Sequence, residues 1–168
     1  EFEMVIPDAK FLTDTANLIK EDWLKIGAIL KPVILKSSEV RDVIKTRNYK
    51  MVIFGNILHN GNPDLFDFWH SSKRFDPGLN LALYSDKTMD TLLESVRQNF
   101  DETARQADLS KIQTLIYQQK PASFLFSPKY FYAAPKNLGG FSAKLITTSA
   151  NRFENINQWY LKTARVFK

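Results

Sequence analysis

His59 and His70 are the two side chains of this sequence whose charge changes near neutral pH, and they stand eleven residues apart with Asp64 and Asp67 between them. Four such groups sketch a metal site, but the spacing matches neither a helical ligand pair nor a zinc signature, so no metal is expected. There is no cysteine, which excludes disulfides, a thiol nucleophile and a thiolate zinc site. The sequence has no GxSxG elbow, HExxH pair, phosphate-cradling Walker loop or dinucleotide fingerprint. Carboxylates are plentiful, yet acid–base pairs are not recognisable from spacing alone. No catalytic residue and no cofactor are expected, and the chain reads as a non-enzyme.

Binding chemistry is better supported. In the stretch YKMVIFGNILHNGNPDLFDFW, Tyr49 to Trp69, an apolar run gives way to Gly55, Asn56, Ile57 and His59. Glycine lets a ligand or a neighbouring backbone come close. Asn56 offers both donor and acceptor, and His59 can hydrogen-bond or change charge. Gly55, Asn56, Ile57 and His59 are therefore the expected ligand contacts, with Tyr130 as a stacking wall. His70 reads instead as a helix-surface residue beside a buried Trp69.

The elements that must hold this stretch follow from periodicity. Met51 to Phe54 is short and β-branched in its middle, as in a strand buried on both faces. Small and polar residues between such a strand and the next helix are where open α/β sheets take ligands. Upstream, Phe2 to Ile6 is a first strand, and Leu12, Ala16, Ile19, Trp23 and Ile26 trace one helical stripe. Thr13 or Asp14 would cap that helix and Gly27 would stop it. Ala28 to Leu35 is a second strand, with Pro32 marking an edge or bulge. A short helix with Val40, Val43 and Ile44 follows, capped by Ser37 or Ser38. Strand–helix–strand–helix–strand implies neighbouring, largely parallel strands, with Trp23 buried against the sheet.

Downstream, Leu65, Phe66, Phe68 and Trp69 form a short apolar helix, and Asp76-Pro77-Gly78 marks a turn. Met89, Leu92, Leu93, Val96 and Phe100 trace a helix capped by Asp86. A further helix from Asp101 turns Ala104, Ala107, Ile112, Leu115 and Ile116 inward. Ala122 to Phe126 and Tyr130 to Ala134 read as short strands, and Gly139-Gly140 interrupts the chain.

A chain of 168 residues with 44% apolar and 24% charged residues is long enough for a packed core. The net charge of +5 is scattered rather than blocked, and basic residues do not interleave with aromatics on one strand face, so no nucleic-acid partner is expected. No apolar run approaches the roughly 20 residues of a spanning helix. The sequence starts directly on a strand, as a piece of a longer protein would.

Several segments together resemble the C-terminal part of the family 5 extracellular solute-binding proteins, the peptide, dipeptide and nickel receptors of ABC importers. ANLIKEDWLKIG (Ala16 to Gly27) resembles the family helix that ends in an Ile-Gly pair, and YKMVIF is similar to its Tyr-Asp-Met strand, with Lys50 in the Asp place. Asn62-Pro63-Asp64 resembles an Asp-Pro-Asp turn. Asn80 with Tyr84, then Met89-Asp90 and Leu92-Leu93, is similar to an Asn…Tyr…Asp-x-Leu-Leu run. Arg105, Ile112-Gln113 and Pro121 through Leu125 resemble the final helix and strand.

The resemblance implies an α/β fold with a mixed, largely parallel sheet flanked by helices, forming the C-terminal portion of the second lobe of a periplasmic-binding-protein-like fold. Residues 1–137 would be a partial second lobe, and 138–168 a tail returning to the missing N-terminal lobe. It implies an extracytoplasmic bacterial receptor, periplasmic or lipid-anchored, that closes on a peptide or other small polar solute and delivers it to an ABC permease. The alternative is a solute-sensing or interaction module that uses the same fold without transport. In peptide-binding members a tryptophan and then an aspartate follow the strand. Their places resemble Asn56 and His59 here, neither of which is negative at neutral pH, so a peptide, a sugar or another solute stays open. Phe153, Trp159 and Tyr160 of the tail would fold back on the domain or expose an apolar patch that joins two copies as a dimer.

Overall fold

The computed structural model describes residues 1–56, 64–129, 131–142, 146 and 148–162. The chain divides into two compact units, one of residues 1–55 with 64–123, the other of residues 56–63 with 124–168.

The first unit is built on a three-stranded parallel sheet. Its central strand, β1 (Phe2–Pro7), carries Met4, Val5 and Ile6, buried in succession because both faces of a central parallel strand are covered. On one side lies β2 (Leu30–Leu35), with Val5 opposite Val33; on the other lies β3 (Met51–Val52), with Val5 opposite Val52. Pro32 is tolerated because β2 is an outer strand of this sheet.

The crossover helices are α1 (Lys10–Lys25) and α2 (Ser37–Thr46). Ala16, Leu12, Ile19 and Trp23 of α1 pack on Met4, Ile6, Leu30 and Ile53, as the spacing predicts. Trp23 is half-buried rather than enclosed, its ring edge-on to Phe2 at 5.7 Å. Ile26 lies past the helix end and is 79% exposed. The expected caps are also displaced: α1 starts after Ala9, which offers no side-chain bond. Thr13 and Asp14 fall inside the helix, where the Thr13 hydroxyl donates to the Ala9 carbonyl and Asp14 pairs with Lys10. Gly27 does adopt the left-handed conformation, at φ +78°.

The strand expected to be buried on both faces is shorter and more open. Only Met51 and Val52 form the ladder; Ile53 adds one bond by donating to the Val5 carbonyl at 2.9 Å and is buried, while Phe54 is 45% exposed. An outer strand has a neighbour on one side only, so its end is not enclosed.

The remainder of this unit is helical: α3 (Phe66–Trp69), α4 (Lys87–Gln98) and α5 (Glu102–Gln119), closing on Trp69, Met89, Leu93 and Ile112. Asp86 caps α4 by accepting from the Met89 amide at 2.9 Å, and Asp101 caps α5 by accepting from the Thr103 amide at 2.9 Å. Phe100, expected inward, is fully exposed, because Asn99 is extended and ends the helix before it. Ala107 is exposed, and Leu109 packs in the core instead. Arg47, left-handed at the end of α2, donates to the Arg74 and Gly78 carbonyls, and the Tyr49 hydroxyl donates to the Leu81 carbonyl at 2.7 Å. These bonds tie the sheet's crossover to the turn before α4.

In the second unit, β4 (Leu138–Gly139) and β5 (Tyr160–Leu161) pair antiparallel. A Cβ on Gly139 would stand 2.4 Å from the Tyr160 ring, so only glycine lets that ring lie across the strand. Trp159 meets Phe141 and Phe153 at 5.6 Å each, and Tyr132 meets Phe141 at 5.7 Å. The expected strands at Ala122 to Phe126 and Tyr130 to Ala134 are not formed: residues 122–129 and 131–134 are irregular, and Tyr130 lies outside the described residues. Apolar, β-prone sequence alone does not make a strand, which also needs a neighbour aligned to continue its ladder.

Candidate functional site

In a parallel sheet all strands end on the same edge. Here β1 ends at Pro7, β2 at Leu35 and β3 at Val52, so the chain leaves β3 on the edge where open α/β sheets bind ligands. Gly55 and Asn56 stand just beyond, both exposed. Among the described residues, a Cβ on Gly55 would meet nothing within 4 Å. Ile57, His59 and Tyr130, the other expected contacts, lie outside the described residues. Neither of two surface depressions of the first unit is lined by Gly55 or Asn56. One, of about 430 Å³, lies along α4 at Thr91, Glu94 and Ser95; the other, of about 320 Å³, lies at Asp67, Lys73 and Asp76.

The stretch that leaves β3 is described again from Asp64. Its carboxylate accepts from the Phe66 amide at 3.0 Å and from Arg97 of α4, Nε at 2.8 Å and Nη2 at 2.5 Å. Burial opposes the charge on Asp64, but the Arg97 hydrogen bonds, the Phe66 amide and the Arg97 and Lys73 charges outweigh it and hold the carboxyl below its ordinary range. The Arg97 guanidinium lies 3.7 Å from the Phe66 ring centre, and the His70 ring stacks on the same Phe66 at 4.0 Å and 12°.

His70 is thus no surface residue. It is 8% exposed, with Nδ1 2.7 Å from the Ser72 hydroxyl and Nε2 3.3 Å from Glu94. Asp90 stands 3.8 Å from Nε2 while accepting from the Ser71 amide and hydroxyl. The i,i+4 spacing of Phe66 and His70 carried the signal for this stack, but the polar side chain masked it. Trp69 beside it is buried, as expected. Sequence reasoning also missed Asn80 as a structural centre. It is fully buried, donating to the His70 and Tyr84 carbonyls at 3.1 and 2.8 Å and accepting from the Tyr84 amide at 3.0 Å. Its amide fixes the turn between the short helices and α4. Among the described residues no group of three or more His, Cys, Asp or Glu could hold a metal ion, and no helix is long and apolar enough to cross a membrane.

No protein-family model matches the chain. Individual relatives do. The oligopeptide-binding protein AppA of Bacillus subtilis is 27% identical over 154 residues, covering 90% of this chain and 27% of AppA. Di/tripeptide-binding protein 2 of Pseudomonas aeruginosa is 28% identical over 143 residues, covering 84% of this chain and 26% of the relative. The AppA structure in complex with a nonapeptide superposes with a TM-score of 0.75 at 25% identity, over 96% of this chain and 32% of AppA. The ABC transporter-associated periplasmic binding protein DppA of Helicobacter pylori, in complex with the peptide STSA, shares the fold with a TM-score of 0.71 at 19% identity, over 96% of this chain and 31% of DppA. The chain spans about a quarter of the length of the curated relatives it matches. The resemblance to one part of a family 5 solute-binding protein is borne out, and so is the α/β fold with its parallel sheet flanked by helices.

Proposed function

We propose that this chain is the C-terminal part of the substrate-binding component of an ABC importer, working outside the cytoplasm and binding a peptide or another small polar solute between two lobes. The observation that carries the reading is the match along 90% of the chain to a peptide-binding protein, joined to a fold superposition at TM-score 0.75. The parallel sheet adds a physical reason: β3 ends at Val52, and the exposed Gly55 and Asn56 follow on the edge where the strands end. Gly55, Asn56, Ile57 and His59 would contact the solute, with Tyr130 stacking beside it. Residues 1–137 would belong to the second lobe, and 138–168 would return to the first. Binding works by closure: a solute touching both lobes has higher affinity for the closed form and shifts the population to it.

Asn56 and His59 carry no negative charge at neutral pH, so a peptide ammonium would be held by dipoles or by a carboxylate of the other lobe. Calorimetric titration of the full-length receptor with di- to nonapeptides and with neutral sugars tests the reading. Replacing Asn56 and His59 together by Ala should weaken binding at least about tenfold, the loss of about 1.4 kcal/mol in hydrogen bonds. Unchanged affinity would remove the site from this segment.

A further inference from the structure

We propose that Arg47 and Tyr49 are positioning residues for the ligand-binding edge of the sheet: they anchor the entry of β3 to the turn before α4 and so fix where Gly55 stands. The proposal rests on the site reading above and adds to it two residues that act through the strand. By its own bonds β3 is a weak element. It pairs with β1 at two positions, Met51 with Met4 and Val52 with Val5, whereas β2 pairs with β1 at six. Ile53 adds one bond, to the Val5 carbonyl at 2.9 Å, and Phe54 and Gly55, the last residues before the chain passes to the second unit, are exposed. A two-residue outer ladder opens locally at small cost, so its alignment needs support from outside the sheet.

That support stands at its entry. Arg47 ends α2 at φ +56°, and its guanidinium donates to three backbone carbonyls. One is Ile44 of its own helix; the others are Arg74, reached from Nε at 2.8 Å, and Gly78, reached from Nη2 at 2.5 Å. Two residues on, the Tyr49 amide donates to the Arg47 carbonyl at 3.0 Å and the Tyr49 hydroxyl to the Leu81 carbonyl at 2.7 Å. Burial pushes the Tyr49 hydroxyl's pKa up, against the Arg47 charge, so it stays a donor. The distant acceptors are themselves held. The Gly78 amide donates to the Phe75 carbonyl at 2.7 Å, the Asn80 amide donates to the Lys73 carbonyl at 3.1 Å, and Leu81 follows the fully buried Asn80. All these partners are main-chain oxygens, so the two side chains follow the path of the turn whatever side chains it carries. A planar fork spans acceptors on α2 and on the turn at once, which the compact head of a lysine does not.

Amide hydrogen exchange on the 168-residue chain tests this without any solute, so its outcome is separate from that of the binding experiment. Tyr49→Phe removes one hydroxyl and should speed exchange of the Ile53 amide roughly fivefold, the loss of one neutral hydrogen bond. The Asp8 amide, bonded to Leu35 of β2, should be unchanged. Arg47→Lys should go further, roughly tenfold at Ile53, because charge-assisted bonds are lost. The chain has no cysteine, so Gly55→Cys takes a nitroxide at that position alone, and its spectrum should narrow in both variants. Unchanged exchange at Ile53, an equal rise at Asp8, or an unaltered nitroxide spectrum would each overturn the proposal.

Discussion

The two units spend their apolar residues differently. The first buries Ile6, Ala16, Leu30, Met89, Leu93 and Ile112 almost completely, in a sheet layer and a helical cluster. In the second, Gly139 is the one buried position among the described residues, although Tyr132, Phe141, Phe153 and Trp159 stand in mutual ring contact. Aromatic content alone does not make a core. Large rings that meet at tilted angles still leave faces in water, whereas aliphatic side chains at helical and strand periods interlock and exclude it. The stability of the chain should therefore reside in the first unit.

Substitutions can break that comparison. Ile6→Ala and Ile112→Ala, one in each buried cluster, should each cost about 2–5 kcal/mol in denaturant unfolding. Asn80→Ala should cost about 1–3 kcal/mol, because it strips hydrogen bonds from three backbone groups around a fully buried amide. Asp86→Ala should cost about 1 kcal/mol at neutral pH, through loss of the α4 cap. The Met89 amide, and after it Gln119, hold the Asp86 carboxyl below its ordinary range. Its contribution is thus present above the unfolded carboxyl's pKa and is lost as the pH falls through the lowered folded one, so variant and parent should converge in acid. Trp159→Ala should change the main transition least, by under about 0.5 kcal/mol, while altering the near-ultraviolet circular dichroism of the aromatic cluster. A Trp159 effect as large as that of Ile6 would show that the second unit shares the cooperative core.

Periodicity disclosed most of the first unit. The stripe from Leu12 to Trp23, the run from Phe2 to Ile6, and the Asp86 and Asp101 caps each carry a local signal that tertiary packing leaves intact. Readings failed where the outcome depended on a neighbour. Residues 122–126 have strand-like composition but form no strand, and Phe100 follows an extended Asn99 that no pattern marks. His70 was hidden for a different reason: its polar side chain masked the i,i+4 spacing with Phe66, and its partners Glu94 and Asp90 lie on α4, twenty or more residues along the chain. Of the candidate site, Gly55 and Asn56 stand exposed beyond the end of β3. The Arg97–Asp64 ion pair was not legible, since thirty-three residues separate its partners.

The central claim is that the segment after β3 holds a small polar solute in a two-lobed receptor. Native mass spectrometry of the full-length receptor, purified without denaturation, tests it most directly. The account predicts a bound peptide or other small polar solute that is lost when Asn56 and His59 are both replaced by Ala. A receptor that keeps the same occupant at the same stoichiometry after that double replacement would contradict it.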